Sequence, residues 1–255
     1  MIRKSFGLIG EKLSHSISDT LHQEIMKEMS LNGSYNMFEV KRDDLKDVIK
    51  SMTVLGISGI NVTIPYKEDI MKYLDSIDEK ALEIGAVNTV AIEDGKAIGY
   101  NTDYDGFKFN LEKAEIDILD KSFTLLGAGG GAKAVISVLI DGQAREITIV
   151  SRNPDKTRID YPDIKVISYN EMNKIENKYC LINCTPVGTV PNIEDCPLDE
   201  DEVKPYKNVV DLIYNPEKTK LLKLADKYGL NNINGLFMLI GQARKSQEIW
   251  SSKNK

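Results

Sequence analysis

Cysteine is scarce and odd in number. Cys180, Cys184 and Cys196 are the only three among 255 residues, too few for a disulfide framework, and a reducing cytoplasm fits that usage. A positive excess is missing as well: 33 Lys and Arg face 39 Asp and Glu, for a formal charge of −6. Such a chain lacks the basic surface that holds a phosphate backbone, so nucleic acid is not an expected partner. No apolar run approaches the ~20 residues of a membrane-spanning helix, and no membrane association is expected. The opening residues, Met1-Ile2-Arg3-Lys4-Ser5-Phe6-Gly7, read as the start of a strand rather than a signal peptide. Internal repeats and low-complexity tracts are absent. What remains is globular: 42% apolar and 28% charged residues, enough for one large domain or two ordinary ones.

Two rhythms follow along the chain. Lys4 to Ile9 reads as a strand. A helix from Ser18 carries Leu21, Ile25, Met26 and Met29 at helical spacing, with Asn32-Gly33 as its stop. Ser34 to Val40 alternates like a strand, and Asp43 to Met52 repeats like a helix. Gly59 to Ile64 is strand again, and Pro65 is expected to open a following helix. Val87 to Ile92 and Lys96 to Tyr100 flank Asp94-Gly95, which predicts a hairpin at the margin of a βαβ layout. After Asp103 the strands become continuous apolar runs: Phe123 to Leu126, Ile147 to Val150, Val166-Ile167, Cys180 to Asn183 and Asn208 to Ile213. Strands buried on both faces of a parallel sheet read this way. The boundary between the two α/β units is expected near residues 103 to 120. The acidic stretch from Glu194 to Glu202 is read as a solvated loop, the alternative being a metal site; no metal is expected.

The first of those runs leads into Gly127-Ala128-Gly129-Gly130-Gly131-Ala132, and a helix follows with Ala134, Val135, Val138 and Leu139 on one face, closed by Asp141-Gly142. Gly127, Gly129 and Ala132 fill the G-x-G-x-x-G/A pattern that brings a pyrophosphate against a helix N-terminus. The bland alternative is a tight strand–helix turn without a ligand. An NAD site places a carboxylate about 20 residues further on, for the ribose hydroxyls. Here that place holds Ser151-Arg152-Asn153, with Lys156 close behind. A guanidinium clasps a ribose phosphate that a carboxylate would repel, so NADP is the expected cofactor.

Four segments of the first half carry more polar side chains than a core or a plain loop needs: Ser14-His15-Ser16, Asn61 to Lys67, Gly85 to Thr89 and Asn101-Thr102-Asp103. Singly, each has a structural explanation. Ser16 or Ser18 would cap a helix, Asn61 and Thr63 would form turns, Asn88 would satisfy a hairpin backbone, and Lys67 with Asp103 would make a surface ion pair. Together they suit a small polyhydroxylated acid, with hydroxyls for a carboxylate and amides for ring hydroxyls. A carbonyl under hydride attack develops negative charge on oxygen, which an ammonium stabilises and protonates. Within these segments only Lys67 and Asp103 offer an ammonium with a carboxylate to orient it. His15 is read as a packing or orienting residue.

At this point the chain resembles the shikimate dehydrogenase family nearly end to end. The stretch from Gly10 to Ser18 looks like its Ser-x-Ser substrate motif, Asn61 to Lys67 like its Asn-Val-Thr-x-Pro-x-Lys motif, and Gly85 to Thr89 like its Gly-Ala-Val-Asn-Thr. Asn183-Cys184-Thr185-Pro186-Val187-Gly188, Asp211 to Pro216, and Gly235 with Met238-Leu239 and Gln242 resemble three further motifs. The resemblance implies an α/β fold, with an N-terminal substrate domain and a Rossmann-like, doubly wound NADP-binding domain with a cleft between them. It implies a substrate-binding and catalytic domain over 1–104, completed by a C-terminal helix at 237–255, and an NADP-binding domain over 105–236.

The resemblance also implies roles. Lys67 would be the acid–base residue and Asp103 its partner. Ser14 and Ser16 would hold the substrate carboxylate, while Thr63, Asn88, Asp103, Tyr214 and Gln242 surround the ring with Lys67. Gly127, Ala128, Gly129, Gly130, Gly131, Ser151, Arg152, Asn153, Lys156, Leu212 and Gly235 would line NADP. The implied reaction is the reversible NADPH-dependent reduction of 3-dehydroshikimate to shikimate in aromatic amino acid biosynthesis. An NAD-dependent quinate/shikimate dehydrogenase and a catalytically silent sensor of shikimate or dinucleotide are the competing readings. A small-molecule substrate is the expected partner, with room for a homodimer. Three departures stand out: Asp19 where proline is usual, Gly131 where alanine is common, and Ser151-Arg152-Asn153 in place of Asn-Arg-Thr.

Overall fold

The computed structural model describes residues 4–14 and 16–252. The chain forms two compact units, one of Met1–Gly106 with Ile240–Lys255, the other of Phe107–Leu239. The first holds β1 (Lys4–Gly10), α1 (Ser18–Glu28), β2 (Gly33–Glu39), α2 (Val48–Leu55), β3 (Ile57–Val62), β4 (Ser76–Ile77), α3 (Glu79–Ile84), β5 (Thr89–Glu93) and β6 (Lys96–Tyr100). Helix α4 (Asp103–Lys113) runs on into the second unit, which holds β7 (Ser122–Leu126), α5 (Gly130–Asp141), β8 (Glu146–Val150), α6 (Pro154–Asp160), β9 (Lys165–Ile167), β10 (Cys180–Asn183), α7 (Glu200–Val203), β11 (Asn208–Asp211), α8 (Lys220–Lys227) and β12 (Asn231–Ile233). Helix α9 (Leu236–Ser252) brings the chain back to the first unit.

The sheet of the first unit has the order β2-β1-β3-β5-β6-β4. Strand β1 lies parallel to both β2 and β3, whereas β5 is antiparallel to β3 and to β6. The hairpin turns at Asp94 and Gly95, both at positive φ (49° and 77°), as a tight two-residue turn requires. It is not the margin of the sheet, because the two-residue β4 pairs outside β6. On one face Trp250 of α9 stacks on Phe6, with ring centroids 4.7 Å apart, and its indole N–H donates to the Val90 carbonyl at 3.0 Å. Gly59 makes this contact feasible, since a Cβ there would fall 2.1 Å from the indole nitrogen.

The sheet of the second unit is wholly parallel, in the order β12-β11-β10-β7-β8-β9. Read from β7, this is the doubly wound arrangement with its switch point between β7 and β10. Every residue of β7, β10 and β11 is buried, which is why their sequences run apolar without alternation.

Several local expectations are corrected. Helix α1 ends at Glu28, and Ser30 turns the chain at φ 54°, so Gly33 starts β2 instead of stopping the helix. The helical stretch after Asp43 divides into a 3-10 helix at Arg42–Asp47 and α2, which Gly56 closes in the left-handed conformation. Pro65 lies in a turn and opens no helix; the next helical residues are the 3-10 turn Asp69–Tyr73. Strand β11 stops at Asp211, short of Ile213. No helix among the described residues is long and apolar enough to cross a membrane.

Candidate functional site

In the first unit one end of the sheet collects the chemistry. Strands β1, β3 and β6 run in the same direction, so the segments that leave their C-terminal ends emerge side by side. Ser14 and Ser16 follow β1, Thr63 and Lys67 follow β3, and Asp103 follows β6. Strand β5 runs the other way, so Asn88, just before it, reaches the same end, with its carbonyl accepting from the Val62 N–H at 2.8 Å. Open α/β sheets place ligands at such strand ends.

Lys67 Nζ donates to Asp103 Oδ2 at 2.6 Å. The two side chains are 18% and 10% exposed, enough shielding to make the charge-assisted bond strong and enough access for a ligand to meet the ammonium. The Lys67 carbonyl accepts from the Val87 N–H at 2.8 Å, which ties the lysine loop to the Asn88 segment.

Asn88 is buried, and its Oδ1 accepts from the Thr102 N–H at 2.7 Å while its Nδ2 lies 3.4 Å from Gln242 Oε1. The side chain therefore does satisfy a backbone group and still turns its amide toward Gln242. Thr63 is half-buried, its N–H donating to the Ile9 carbonyl at 3.0 Å. Ser14 is exposed; the Ser16 hydroxyl donates to Ser18 Oγ at 3.0 Å and accepts the Ser18 N–H at 3.3 Å, at the start of α1. His15 lies outside the described residues.

The second unit gathers the cofactor candidates at the C-terminal end of its own sheet. Gly127 sits at φ +86°, and a Cβ there would lie 2.7 Å from the Thr185 methyl, so the turn needs glycine twice over. Ala128 follows it at half-burial. A Cβ on Gly129 or Gly130 would meet nothing within 4 Å, so bare backbone faces open space at the N-terminus of the twelve-residue α5. That is the cradle a pyrophosphate requires. A Cβ at Gly131 would touch the Leu212 side chain at 3.4 Å, and one at Gly235 would strike the Leu212 carbonyl oxygen at 2.1 Å. Leu212 and Gly235, named on resemblance alone, thus converge on the glycine loop.

After β8, Arg152 is exposed, and its charge reaches Tyr169, where it opposes the upward push of burial on the phenol. Asp155, the nearest carboxylate in sequence, is paired with Arg158 at 2.7 Å, so it does not present a free charge to a ribose phosphate. Asn153 caps α6 by accepting the Lys156 N–H at 3.3 Å. Ser151 is buried, bonded to Thr157 Oγ1 at 2.8 Å and accepting the Asn153 N–H at 3.1 Å. Its hydroxyl therefore shapes this turn. Lys156 is exposed. Tyr214 follows β11 half-buried, and burial raises its phenol.

Two residues escaped the sequence reading. Asp211 is fully buried at the end of β11, accepting from Asn183 Nδ2 at 3.0 Å, the Ile213 N–H at 3.1 Å and the Thr219 hydroxyl at 2.6 Å. Burial pushes its carboxyl up to about 6, against the pull of those three donors. Asn183 in turn accepts the Thr185 hydroxyl at 2.7 Å, holding the methyl that packs on Gly127. Their place in two quoted motifs was the available signal. Burial raises the Cys184 thiol, so it is no poised nucleophile. In the acidic stretch Asp199 and Glu202 form a capping box at α7, and no group of three or more His, Cys, Asp or Glu among the described residues is placed to hold a metal.

Comparison with known proteins agrees with both halves. The family described as shikimate dehydrogenase substrate binding domain matches residues 8–90. A shikimate dehydrogenase (NADP(+)) of Clostridium perfringens is 46% identical over 97% of this chain and 92% of its own length. Among solved structures, a chorismate mutase/shikimate 5-dehydrogenase fusion protein from Clostridium acetobutylicum superposes with a TM-score of 0.95 at 43% identity, over 99% of this chain and 92% of that one. A shikimate dehydrogenase in complex with NADP+ gives a TM-score of 0.89 at 40% identity, over 98% of this chain and 90% of that one.

Proposed function

This chain belongs to the shikimate dehydrogenase family, and on that premise we propose that it catalyses the reversible NADPH-dependent reduction of 3-dehydroshikimate to shikimate, a step of aromatic amino acid biosynthesis, with Lys67 and Asp103 as its catalytic pair. The observation that carries the residue assignment is the 2.6 Å bond between Lys67 Nζ and Asp103 Oδ2 at a strand end shared with Asn88. NADPH, when bound, supplies the hydride that reduces the carbonyl carbon. Lys67 Nζ delivers the proton to the carbonyl oxygen as negative charge develops there, and in the reverse direction takes it from the ring hydroxyl. Asp103 holds the lysine in place. Ser14 and Ser16 take the ring carboxylate, while Thr63, Asn88, Tyr214 and Gln242 pair with the ring hydroxyls.

The bare backbone of Gly129 and Gly130 ahead of α5 would hold the NADP pyrophosphate, with Gly127, Ala128 and Gly131 shaping the turn. Arg152, with Lys156 beside it, would hold the ribose phosphate, and Leu212 and Gly235 would flank the loop. Ser151 and Asn153 support this from beneath as the turn into α6. The residues 1–104 and 237–255 carry substrate and 105–236 carry NADP. A cytoplasmic setting suits the three free cysteines.

Nicotinamide absorbance, followed with shikimate or quinate against NADP+ or NAD+, tests the reading. Reduction of NADP+ with shikimate should be fastest. Faster turnover of NAD+ with quinate would favour the related dehydrogenase, and binding of both ligands without turnover would make the chain a sensor.

A further inference from the structure

A serine inside a helix is a slightly poorer helix former than alanine, so a fully buried one invites the question of what its hydroxyl does. Ser246 on α9 is fully buried, one turn beyond Gln242. Its hydroxyl donates to the Gln242 carbonyl at 2.9 Å. The same oxygen lies 2.9 Å from Asn61 Nδ2, 2.9 Å from Thr89 Oγ1 and 3.2 Å from Thr102 Oγ1. Four segments meet there: β3, β5, the loop before α4, and α9.

The donors can be accounted for. The Asn88 carbonyl only accepts, so the Asn61 amide nitrogen must face it, at 3.2 Å, and Asn61 Oδ1 is left to accept the Tyr35 hydroxyl at 2.8 Å. Burial keeps that phenol protonated, because it pushes the Tyr35 group well above its ordinary value. The second Asn61 hydrogen serves Thr89 Oγ1, at 3.0 Å, and Ser246 Oγ. With its one hydrogen on the Gln242 carbonyl, Ser246 acts as an acceptor, its two lone pairs taking the Asn61 hydrogen and the hydrogen of one of the two threonines. A threonine hydrogen is then left for Asn88 Oδ1, which lies 3.1 Å from Thr89 Oγ1 and 3.2 Å from Thr102 Oγ1 and already takes the Thr102 N–H. The Asn88 oxygen is thereby fixed inward and its NH2 turned toward Gln242 Oε1, which also faces Thr102 Oγ1 at 3.5 Å. Both amides are left with N–H groups to offer a ligand.

We propose that Ser246 is a positioning residue for substrate recognition, locking the Asn88 and Gln242 amides with their NH2 groups toward the ring hydroxyls, with Tyr35 acting on the same network through Asn61. This rests on the functional reading above, and it goes further by giving a role to two side chains that touch no substrate. The role is one in substrate binding, because Ser246, Tyr35, Asn61, Thr89 and Thr102 belong to the same unit as Asn88 and Gln242.

The test compares steady-state constants of the full chain with Ser246→Ala and, separately, Tyr35→Phe. Alanine suits the helix and leaves no new bulk, while the phenylalanine keeps the ring. Loss of one buried hydrogen-bonding group should raise KM for shikimate about fivefold to tenfold in Ser246→Ala and less in Tyr35→Phe. In both, kcat should stay within about twofold and KM for NADP+ should not move, a split that general loosening of the fold would not produce. An active wild type whose two variants keep the same KM for shikimate would overturn the assignment alone, as would a parallel change in both KM values. A wild type inert toward shikimate and NADP+ would overturn the functional reading and this role with it.

Discussion

Lys67 and Asp103 are 36 residues apart in sequence and 2.6 Å apart at Nζ and Oδ2. The sheet register makes the meeting. Strand β6 pairs with β5 and β5 with β3, with Thr89 opposite both Tyr100 and Asn61. The chain leaving β6 at Tyr100 and the chain leaving β3 at Val62 therefore emerge two strands apart, and three and five residues on they carry the two charges. The Val87 N–H bond to the Lys67 carbonyl and the Asn101 Nδ2 bond to the Ala86 carbonyl, both at 2.8 Å, tie both departing segments to the stretch before β5. A catalytic ammonium needs such support, since a lysine side chain left free loses rotamer entropy each time it is positioned.

On the proposed reading, Arg152 is the residue that selects between the two dinucleotides. Replacing it with alanine should raise KM for NADP+ about tenfold to a hundredfold, the effect of losing a charge-assisted clasp, and leave KM for NAD+ nearly unchanged. Parallel kinetics with both cofactors measure this, and equal losses for the two would place the ribose phosphate elsewhere.

His22 makes the fold sensitive to acid. Its ring is fully buried against Tyr35, with centroids 4.0 Å apart, and Nδ1 lies 3.0 Å from Gln247 Nε2. Burial lowers its pKa from 6.5 to about 3. Below pH 6.5 the unfolded chain takes up a proton that the folded chain refuses, so this contribution is complete above 6.5 and is lost as pH falls toward 3. Between pH 6.5 and 4 the loss is at most about 3 kcal/mol. His22→Phe keeps the stacking and removes the titration. Urea midpoints of the variant should gain on those of the wild type as pH falls from 7 to 4; curves that stay parallel would show that His22 does not titrate in this way.

How much of this was legible in the chain depends on distance along it. The glycine loop, the strands around it and the hairpin at Asp94-Gly95 are local patterns, and each stands where its residues place it. Strand β12 was missed because Asn231-Asn232-Ile233 offers one apolar residue, and its strand character comes from pairing with β11. Helix α8 passed unremarked although Leu221, Leu222 and Ala225 are buried along one face. Pro65 misled because a proline before polar residues suits a helix start and a turn equally well.

In the site, Lys67, Asp103 and Asn88 could be singled out because unusual polar residues cluster near them in sequence. Ser246 and Tyr35 could not. Each looks like an ordinary helix or strand residue until the fold sets Asn61 within hydrogen-bond distance of both. The roles proposed for Leu212 and Gly235 also depend on a long-range approach, the 2.1 Å clearance that forbids a Cβ at Gly235.

The most direct test of the central claim is the turnover number of Lys67→Ala, measured beside its shikimate affinity. Loss of a positioned general acid predicts a fall in kcat of about a hundredfold to ten-thousandfold, with KM for shikimate within a few-fold of the wild type. A kcat within twofold of the wild type would contradict the account, because the proton would then reach the substrate by a route that needs neither the Lys67 ammonium nor its bond to Asp103.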